Sequence, residues 1–125
     1  MTEETTFFYD TYAILEIIKG NEYYNKYVKN IGIVTTKLNL MELFYRLYIL
    51  HGMETAELYY QKYLPFAVGI SDSSIKKAAI FRAENKKKDL SYLDCVGYVL
   101  ALGHKIKFLT GDRQFKDMEN VEFVR

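Results

Sequence analysis

The sequence predicts an α/β fold, with a central, mostly parallel sheet of four to five strands flanked by helices on both faces. Short apolar runs typical of buried strands alternate along the chain with helical patterns, which is the order of βαβ units. The chain has 125 residues, of which 50% are hydrophobic and 26% are charged. This size and composition suit one globular domain with its own core. No linker-like stretch divides the chain, so we expect residues 1–125 to form a single domain.

The chain opens with a strand, an acid and a helix in close succession. Phe7–Tyr9 is a short aromatic run typical of a strand, and it ends at Asp10. Apolar residues then recur at helical spacing from 11 to 19, and Gly20 is placed to end that helix. The polar stretch 21–30 that follows has tyrosines at helical spacing.

A second unit of the same kind follows. The run 31–35 has the composition of a buried strand. Asn39 is expected to cap the next helix, with Glu42 three positions later in the spacing of a capping box, which places Glu42 in the first turn. Another helical pattern runs from 54 to 64 and stops at Pro65.

The second half of the chain contains the other strand candidates. We expect a third strand at 66–70, a helix at about 74–85 and a charged loop at 86–89. The run 106–109 is typical of a strand buried on both faces. The last run, 121–124, is expected to form an edge strand.

The stretch between the charged loop and the fourth strand candidate is the most informative. Ser91 and Asp94 stand in the spacing of a capping box, so a helix is expected to begin there. Gly103 is placed to end that helix in a left-handed conformation. Gly111 and Asp112 then end the strand that follows.

Four acidic residues, Asp10, Glu42, Asp94 and Asp112, are expected at one edge of this sheet. In a parallel sheet the strand ends and the amino ends of the helices that follow them share one edge. Neighbouring carboxylates repel one another and favour a proton or a cation between them. Their oxygens suit Mg²⁺ and Mn²⁺, and such ions activate water and polarise phosphodiesters. The pattern therefore predicts metal-dependent phosphodiester hydrolysis.

Each of these acids also has a purely local interpretation. Glu42 and Asp94 fit the acid position of a capping box, Asp10 fits a plain helix cap, and Asp112 fits a turn. The placement of all four at one edge is what favours a site over four separate caps.

Four segments, one around each acid, carry a resemblance that spans nearly the whole chain. They read FFYDTYAIL, NLMELFYRL, DLSYLDCVGYVLA and FLTGDRQF. Their order and spacing resemble the PIN-domain family, in particular the VapC-type toxin ribonucleases. The resemblance implies a PIN-like domain with a central parallel sheet, which cuts RNA with Mg²⁺ or Mn²⁺.

The resemblance also implies roles for single residues. It implies that Asp10, Glu42, Asp94 and Asp112 are catalytic and hold the metal, and that Thr110 supports them by hydrogen bonds at the strand end. Two positions depart from the family pattern. Position 115, where a second acid is frequent, is a phenylalanine, and position 111, where a larger and often basic or polar residue is common, is a glycine.

An RNA substrate would require cations near the acids, since phosphate contacts supply much of the affinity. The candidates for such contacts are Arg46, Lys86, Lys87, Lys88 and Arg113. Tyr12 and Tyr92 lie near catalytic positions and are candidates for stacking on unpaired bases. A solvated surface is the alternative for the cations, and core packing is the alternative for the two tyrosines.

The overall composition limits location and partners. The net charge of +1 does not indicate a nucleic-acid-binding or membrane-binding protein, so any such contact must come from local patches. A single cysteine, Cys95, favours a reducing cytoplasm. The polar start, Met1–Thr6, does not read as a signal peptide, and no apolar run has the length of a membrane span.

The 12 tyrosines form clusters at helical spacing, which indicates either core edges or a protein-binding surface. The resemblance implies a homodimer and a small antitoxin that inhibits the enzyme. Two other functions stay open. One is a PIN-like module that binds a protein without catalysis, and the other is a housekeeping RNA-processing nuclease.

Overall fold

Four parallel strands form one sheet in the computed structural model, which describes residues 5–125. The strands are β1 Thr5–Tyr9, β2 Ile31–Val34, β3 Lys107–Thr110 and β4 Val121–Phe123. Their order in the sheet is β2-β1-β3-β4, so β1 and β3 are the central strands. Every pairing is parallel, and Phe8 of β1 faces Val34 of β2 on one side and Phe108 of β3 on the other. The predicted parallel α/β fold is therefore confirmed.

Five helices cover the two faces of the described sheet. They are α1 Thr11–Lys19, α2 Lys37–His51, α3 Met53–Tyr63, α4 Asp72–Glu84 and α5 Tyr92–Gly103. The alternation along β1 separates two cores: Phe7 and Tyr9 pack with α1, α2 and α3, whereas Phe8 packs with α4 and α5. Because helices cover both faces of β1, the last residues of this strand are held in place at the carboxyl edge of the sheet.

Helix α5 approaches the sheet closely at Gly97. A Cβ at this position would lie 2.8 Å from Cε1 of Phe8 and 2.9 Å from Cε1 of Phe108. The absence of a side chain therefore sets the distance between α5 and the two central strands. Because Asp94 lies in the first turn of α5, this packing also fixes the position of Asp94 relative to the sheet.

The predicted strand at 66–70 is wrong. The chain instead forms a short 3₁₀ turn at Leu64–Phe66, and the run then makes only an isolated bridge between Ala67 and Thr35. Two backbone bonds hold it there, from Thr35 N to Phe66 O and from Val68 N to Thr35 O. A short apolar run does not distinguish a strand from such a connection by composition alone.

The predicted burial of the second strand is also wrong. All four residues of β2 are only half-buried, because β2 is an outer strand of the sheet. The predicted edge strand near the end of the chain is confirmed as β4.

Two predicted helix caps differ from the structure. Thr36 caps α2 in place of Asn39, and Asn39 is buried in the first turn, where its backbone N donates to Thr36 Oγ1 at 3.1 Å. Glu42 therefore lies in the second turn of α2. At the end of α5 the helix includes Gly103, and the left-handed residue is Lys105, with φ 58°.

A tyrosine cluster binds the last strand to the body of the fold. In the 3₁₀ segment Glu22–Tyr27, Tyr24 donates to Val124 O at 2.7 Å and Tyr27 donates to Glu122 Oε2 at 2.6 Å. For these two tyrosines the core-edge interpretation is correct, since their exposed fractions are 1% and 4%.

No helix within the described ranges is long and apolar enough to cross a membrane. The first four residues, which belong to the stretch predicted not to be a signal peptide, lie outside the described residues.

We expect Gly97→Ala to destabilise the protein by about 1–3 kcal/mol, the usual cost of overpacking a core, because the added methyl would overlap two buried rings. Gly103→Ala in the same helix is the control, since its Cβ would meet nothing within 4 Å. That change is expected to be neutral or to stabilise by up to about 1 kcal/mol. Denaturant unfolding measures both values, and equal stabilities would contradict this account of how α5 packs.

Candidate active site

Asp10 is the buried centre of the carboxyl edge. It follows β1 directly and caps α1, and its exposed fraction is only 5%. Its Oδ1 accepts from Thr11 N at 2.9 Å, and its Oδ2 accepts from Thr110 Oγ1 at 2.7 Å. Its backbone N donates to Leu109 O at 3.1 Å. The carboxylate is thus held between the ends of the two central strands.

Thr110 connects this carboxylate to Asp112. The Thr110 hydroxyl donates to Asp10 and accepts from Asp112 N at 3.1 Å. The side chain of Asp112 then accepts from Gln114 N at 3.0 Å through Oδ1. The geometry predicted for Thr110 is present, and its importance for catalysis stays a prediction.

Asp94 lies in the first turn of α5 and forms the predicted capping box with Ser91. Ser91 N donates to Asp94 Oδ2 at 2.9 Å, and Asp94 N donates to Ser91 Oγ at 3.0 Å. The local interpretation of Asp94 is therefore confirmed. It does not exclude a second role, because the same carboxyl group interacts with the other acids.

The charges of the four acids act on one another. Burial raises the pKa of Asp10 from 3.8 to about 7, and repulsion from Asp94 and Glu42 adds to the rise, against the hydrogen bonds from Thr110 and Thr11. Burial also raises the pKa of Asp94, with repulsion from Asp112 and Glu42 adding to it. Asp10, Glu42, Asp94 and Asp112 thus belong to one electrostatic neighbourhood, which we call the acidic edge.

The acidic edge is not a closed cluster. Among the described side chains, no three from His, Cys, Asp and Glu form a group that could hold a metal ion as they stand. Glu42 is exposed on the second turn of α2, farther along the helix than its predicted position. The donor chemistry still suits Mg²⁺ or Mn²⁺, since all four groups are carboxylates and Mg²⁺ usually keeps several waters and binds through one or two carboxylates.

The lysine and arginine side chains that were predicted to contact RNA lie in different parts of the structure. Lys88 Nζ donates to Gln114 O at 3.1 Å, and Asp89 N contacts Gln114 Oε1 at 3.4 Å, so the loop before α5 is tied to the turn after Asp112. Lys86, Lys87 and Arg113 are exposed. Arg46 lies about 6 Å beyond Glu42 along α2, where it lines a shallow groove that includes Leu15 and Lys19. Because Lys19 ends α1, this groove extends away from the acidic edge.

Sequence reasoning missed two supporting contacts. Arg82 Nε donates to Leu90 O at 3.1 Å, and its guanidinium lies 4.3 Å from the centre of the Tyr92 ring, next to the Asp94 turn. Asn39 Nδ2 donates to Thr11 Oγ1 at 3.1 Å and joins the starts of α1 and α2. No local pattern indicates the first contact. Asn39 was expected to cap α2, and nothing in that pattern indicates its bond to Thr11.

A parallel α/β sheet with interacting acids beyond its strand ends defines the class of this protein. The chain belongs to the PIN-domain family, because the sequence model of the PIN domain matches residues 7–121. No curated protein has a sequence that matches this chain significantly.

Three solved structures have a similar fold. One is a toxin–antitoxin complex from Klebsiella pneumoniae, with TM-score 0.74 and 16% identity over 93% of this chain and 95% of that one. Another is VapC20 from Mycobacterium tuberculosis, a toxin that cleaves the sarcin–ricin loop, with TM-score 0.76 and 15% identity over 95% and 99%. The third is VapBC2 from Rickettsia felis bound to a promoter DNA fragment, with TM-score 0.72 and 19% identity over 95% and 97%.

The raised pKa of Asp10 predicts how stability depends on pH. Between pH 3.8 and about 7 the folded state holds a proton on Asp10 that the unfolded state has released. The stabilisation that this proton gives the folded state is therefore fully present below pH 3.8. It is lost as the pH rises through about 7. One such proton changes the free energy of unfolding by about 1.4 kcal/mol per pH unit.

Denaturant unfolding in EDTA from pH 5 to pH 8 tests this. The wild type should lose stability with rising pH, and Asp10→Asn should show a much flatter profile. A wild-type stability that is constant or increases over this range would contradict the electrostatic account of the acidic edge.

Proposed function

We propose that this protein is an endoribonuclease that hydrolyses RNA phosphodiester bonds with the help of Mg²⁺ or Mn²⁺. The observation that carries the proposal is the position of Asp10, which is buried at the ends of the two central strands. Burial raises its pKa to about 7, and repulsion from Asp94 and Glu42 adds to the rise. Such repulsion costs stability unless a proton or a cation relieves it. Family membership and the likeness to a toxin that cleaves the sarcin–ricin loop support RNA as the substrate.

Asp10, Glu42, Asp94 and Asp112 would hold the metal. A bound divalent ion would supply positive charge that polarises the phosphodiester and lowers the pKa of a water. The protein's part is to keep the carboxylates in place. Thr110 holds Asp10 through Oδ2, which favours the charged form that a metal requires. The capping box holds Asp94 in the same way.

The test is cleavage of total RNA with Mn²⁺ or Mg²⁺ and with EDTA. Removal of one charge from the acidic edge by Asp94→Asn should reduce the rate by at least about 100-fold, since even supporting residues of metal sites cost about 10–100-fold. Asp117→Asn is the matched control, because Asp117 is exposed and takes no part in the interactions of the acidic edge. Cleavage that survives EDTA, or an Asp94→Asn variant as active as the wild type, would overturn the proposal.

We also propose that the enzyme is the toxin of a toxin–antitoxin pair. Two of the similar structures are toxin–antitoxin assemblies. In this chain α2 and α3 leave an apolar groove, lined by Met41, Phe44, Tyr45, Tyr48, Met53, Glu57 and Tyr60. Met41, Tyr45 and Met53 are each more than half exposed, at 63%, 62% and 56%. An apolar segment of a small antitoxin is the proposed occupant, since flexible methionines and tyrosines suit protein recognition.

The homodimer is a separate proposal that uses a different face. Ile80 of α4 and Leu102 of α5 flank a groove between these helices, with exposed fractions of 58% and 48%. An isologous contact across this face would cover both side chains.

Light scattering of the purified chain, alone and co-expressed with the product of a neighbouring small gene, tests both surfaces. We expect the chain alone to have twice its 14.7 kDa mass. Ile80→Glu should give a monomer that still binds the antitoxin. Tyr45→Lys should keep the dimer but lose the antitoxin. Each variant controls for the other. A monomeric wild type would refute the homodimer, and an antitoxin complex that Tyr45→Lys leaves unaffected would refute the antitoxin groove.

A further inference from the structure

The ring of Tyr12 occupies space at the acidic edge that a side chain at position 111 would otherwise fill. A Cβ on Gly111 would lie 2.3 Å from Tyr12 Cε1, 2.5 Å from Val124 O and 2.8 Å from the Tyr24 hydroxyl. Gly111 stands between Thr110 and Asp112, the two residues that connect the end of β3 to Asp10. The Tyr12 ring therefore rests against the backbone of the candidate active site.

Tyr12 differs from the structural tyrosines of this protein. The hydroxyls of Tyr24, Tyr27 and Tyr98 all donate hydrogen bonds within the fold. The Tyr12 hydroxyl makes no hydrogen bond within the described residues, and the exposed fraction of Tyr12 is 39%. The ring packs against Gly111 two residues after Asp10, and 39% of the residue stays exposed.

A stacking contact would let this site hold RNA next to acids that repel its phosphates. The acids repel phosphates, so a contact that does not depend on charge would add affinity at this edge. Of the predicted cations, Arg46 lies in a groove that leads away, whereas the others are exposed: Lys86, Lys87, Lys88 and Arg113. Base stacking on an aromatic ring does not depend on charge and accepts any base. It requires a base that is not already stacked within a helix.

We propose that Tyr12 stacks on the base next to the phosphate that is cut. The inference rests on the proposed ribonuclease function and adds a residue that contacts its substrate. Tyr12 would be a substrate-binding residue, which lowers KM and leaves the chemistry of the acids unchanged.

The test uses three variants and one modified RNA. Tyr12→Phe keeps the ring, and Tyr12→Leu keeps apolar contact with Gly111 but has no flat surface. Tyr23→Leu is the control, because Tyr23 is an exposed tyrosine whose hydroxyl accepts from Arg125 and which takes no part in the interactions of the acidic edge. The substrate is a synthetic RNA that carries the strongest cut site found in total RNA, made in two further forms with an abasic nucleotide on either side of the cut.

We expect Tyr12→Phe and Tyr23→Leu to match the wild type within about twofold. Tyr12→Leu should raise KM by about 10-fold, in the range that stacking supplies. One abasic form should raise the wild-type KM by a similar factor. The same form should bring no further increase in Tyr12→Leu, because the contact is already absent.

Two outcomes separate the failure of this inference from failure of the proposed function. If the wild type cuts no RNA with metal, the ribonuclease proposal fails, and the inference fails with it. If the wild type cuts but neither abasic form raises its KM, only the inference is overturned. That result needs no variant to fold. An abasic penalty that is unchanged in Tyr12→Leu would overturn it as well.

Discussion

The hydrogen bond from Thr110 Oγ1 to Asp10 Oδ2, at 2.7 Å, is the contact on which the rest of the site depends. It joins the ends of β1 and β3, the two central strands of the sheet. The same hydroxyl accepts from Asp112 N, so one side chain fixes the buried acid relative to the second strand-end acid. The parallel order of the strands brings these groups to one edge, and the two cores that cover β1 keep Asp10 from moving into water.

The burial of Asp10 close to other acids lowers the stability of the folded protein. A carboxyl group with an exposed fraction of 5% that also meets the charges of Asp94 and Glu42 is unfavourable as an anion. Proteins retain such groups mainly where function requires them. A divalent cation would turn the same repulsion into binding energy, which is the physical link between the fold and the proposed hydrolysis.

Beyond the fold class, the features that the residues by themselves predicted correctly are local ones. The run Phe7–Tyr9 with Asp10 after it, and the Ser91–Asp94 capping box, are patterns of a few neighbouring residues, and both are present. The hydrogen bond from Thr110 to Asp10, which spans 100 positions, was expected only through the family resemblance. The features that were missed depend on distant partners: Asn39 Nδ2 donates to Thr11, 28 positions away, and the contact between Tyr12 and Gly111 links the first helix to the end of β3. The failure at 66–70 has the same origin, because only the position of β2 at the sheet edge decides how far that run pairs. The toxin role, the metal and the catalytic duties of the acids stay predictions.

Direct metal binding is the measurement that tests the central claim, that the acidic edge exists to hold a divalent cation. Mn²⁺ is titrated calorimetrically into the wild type, Asp10→Asn and Asp117→Asn. The two variants compare the effect of removing one charge from the buried centre with the effect of removing one charge elsewhere. The account predicts saturable binding to the wild type, the same binding to Asp117→Asn, and an affinity at least about 10-fold weaker for Asp10→Asn. No binding to the wild type, or equal binding to all three proteins, would contradict it.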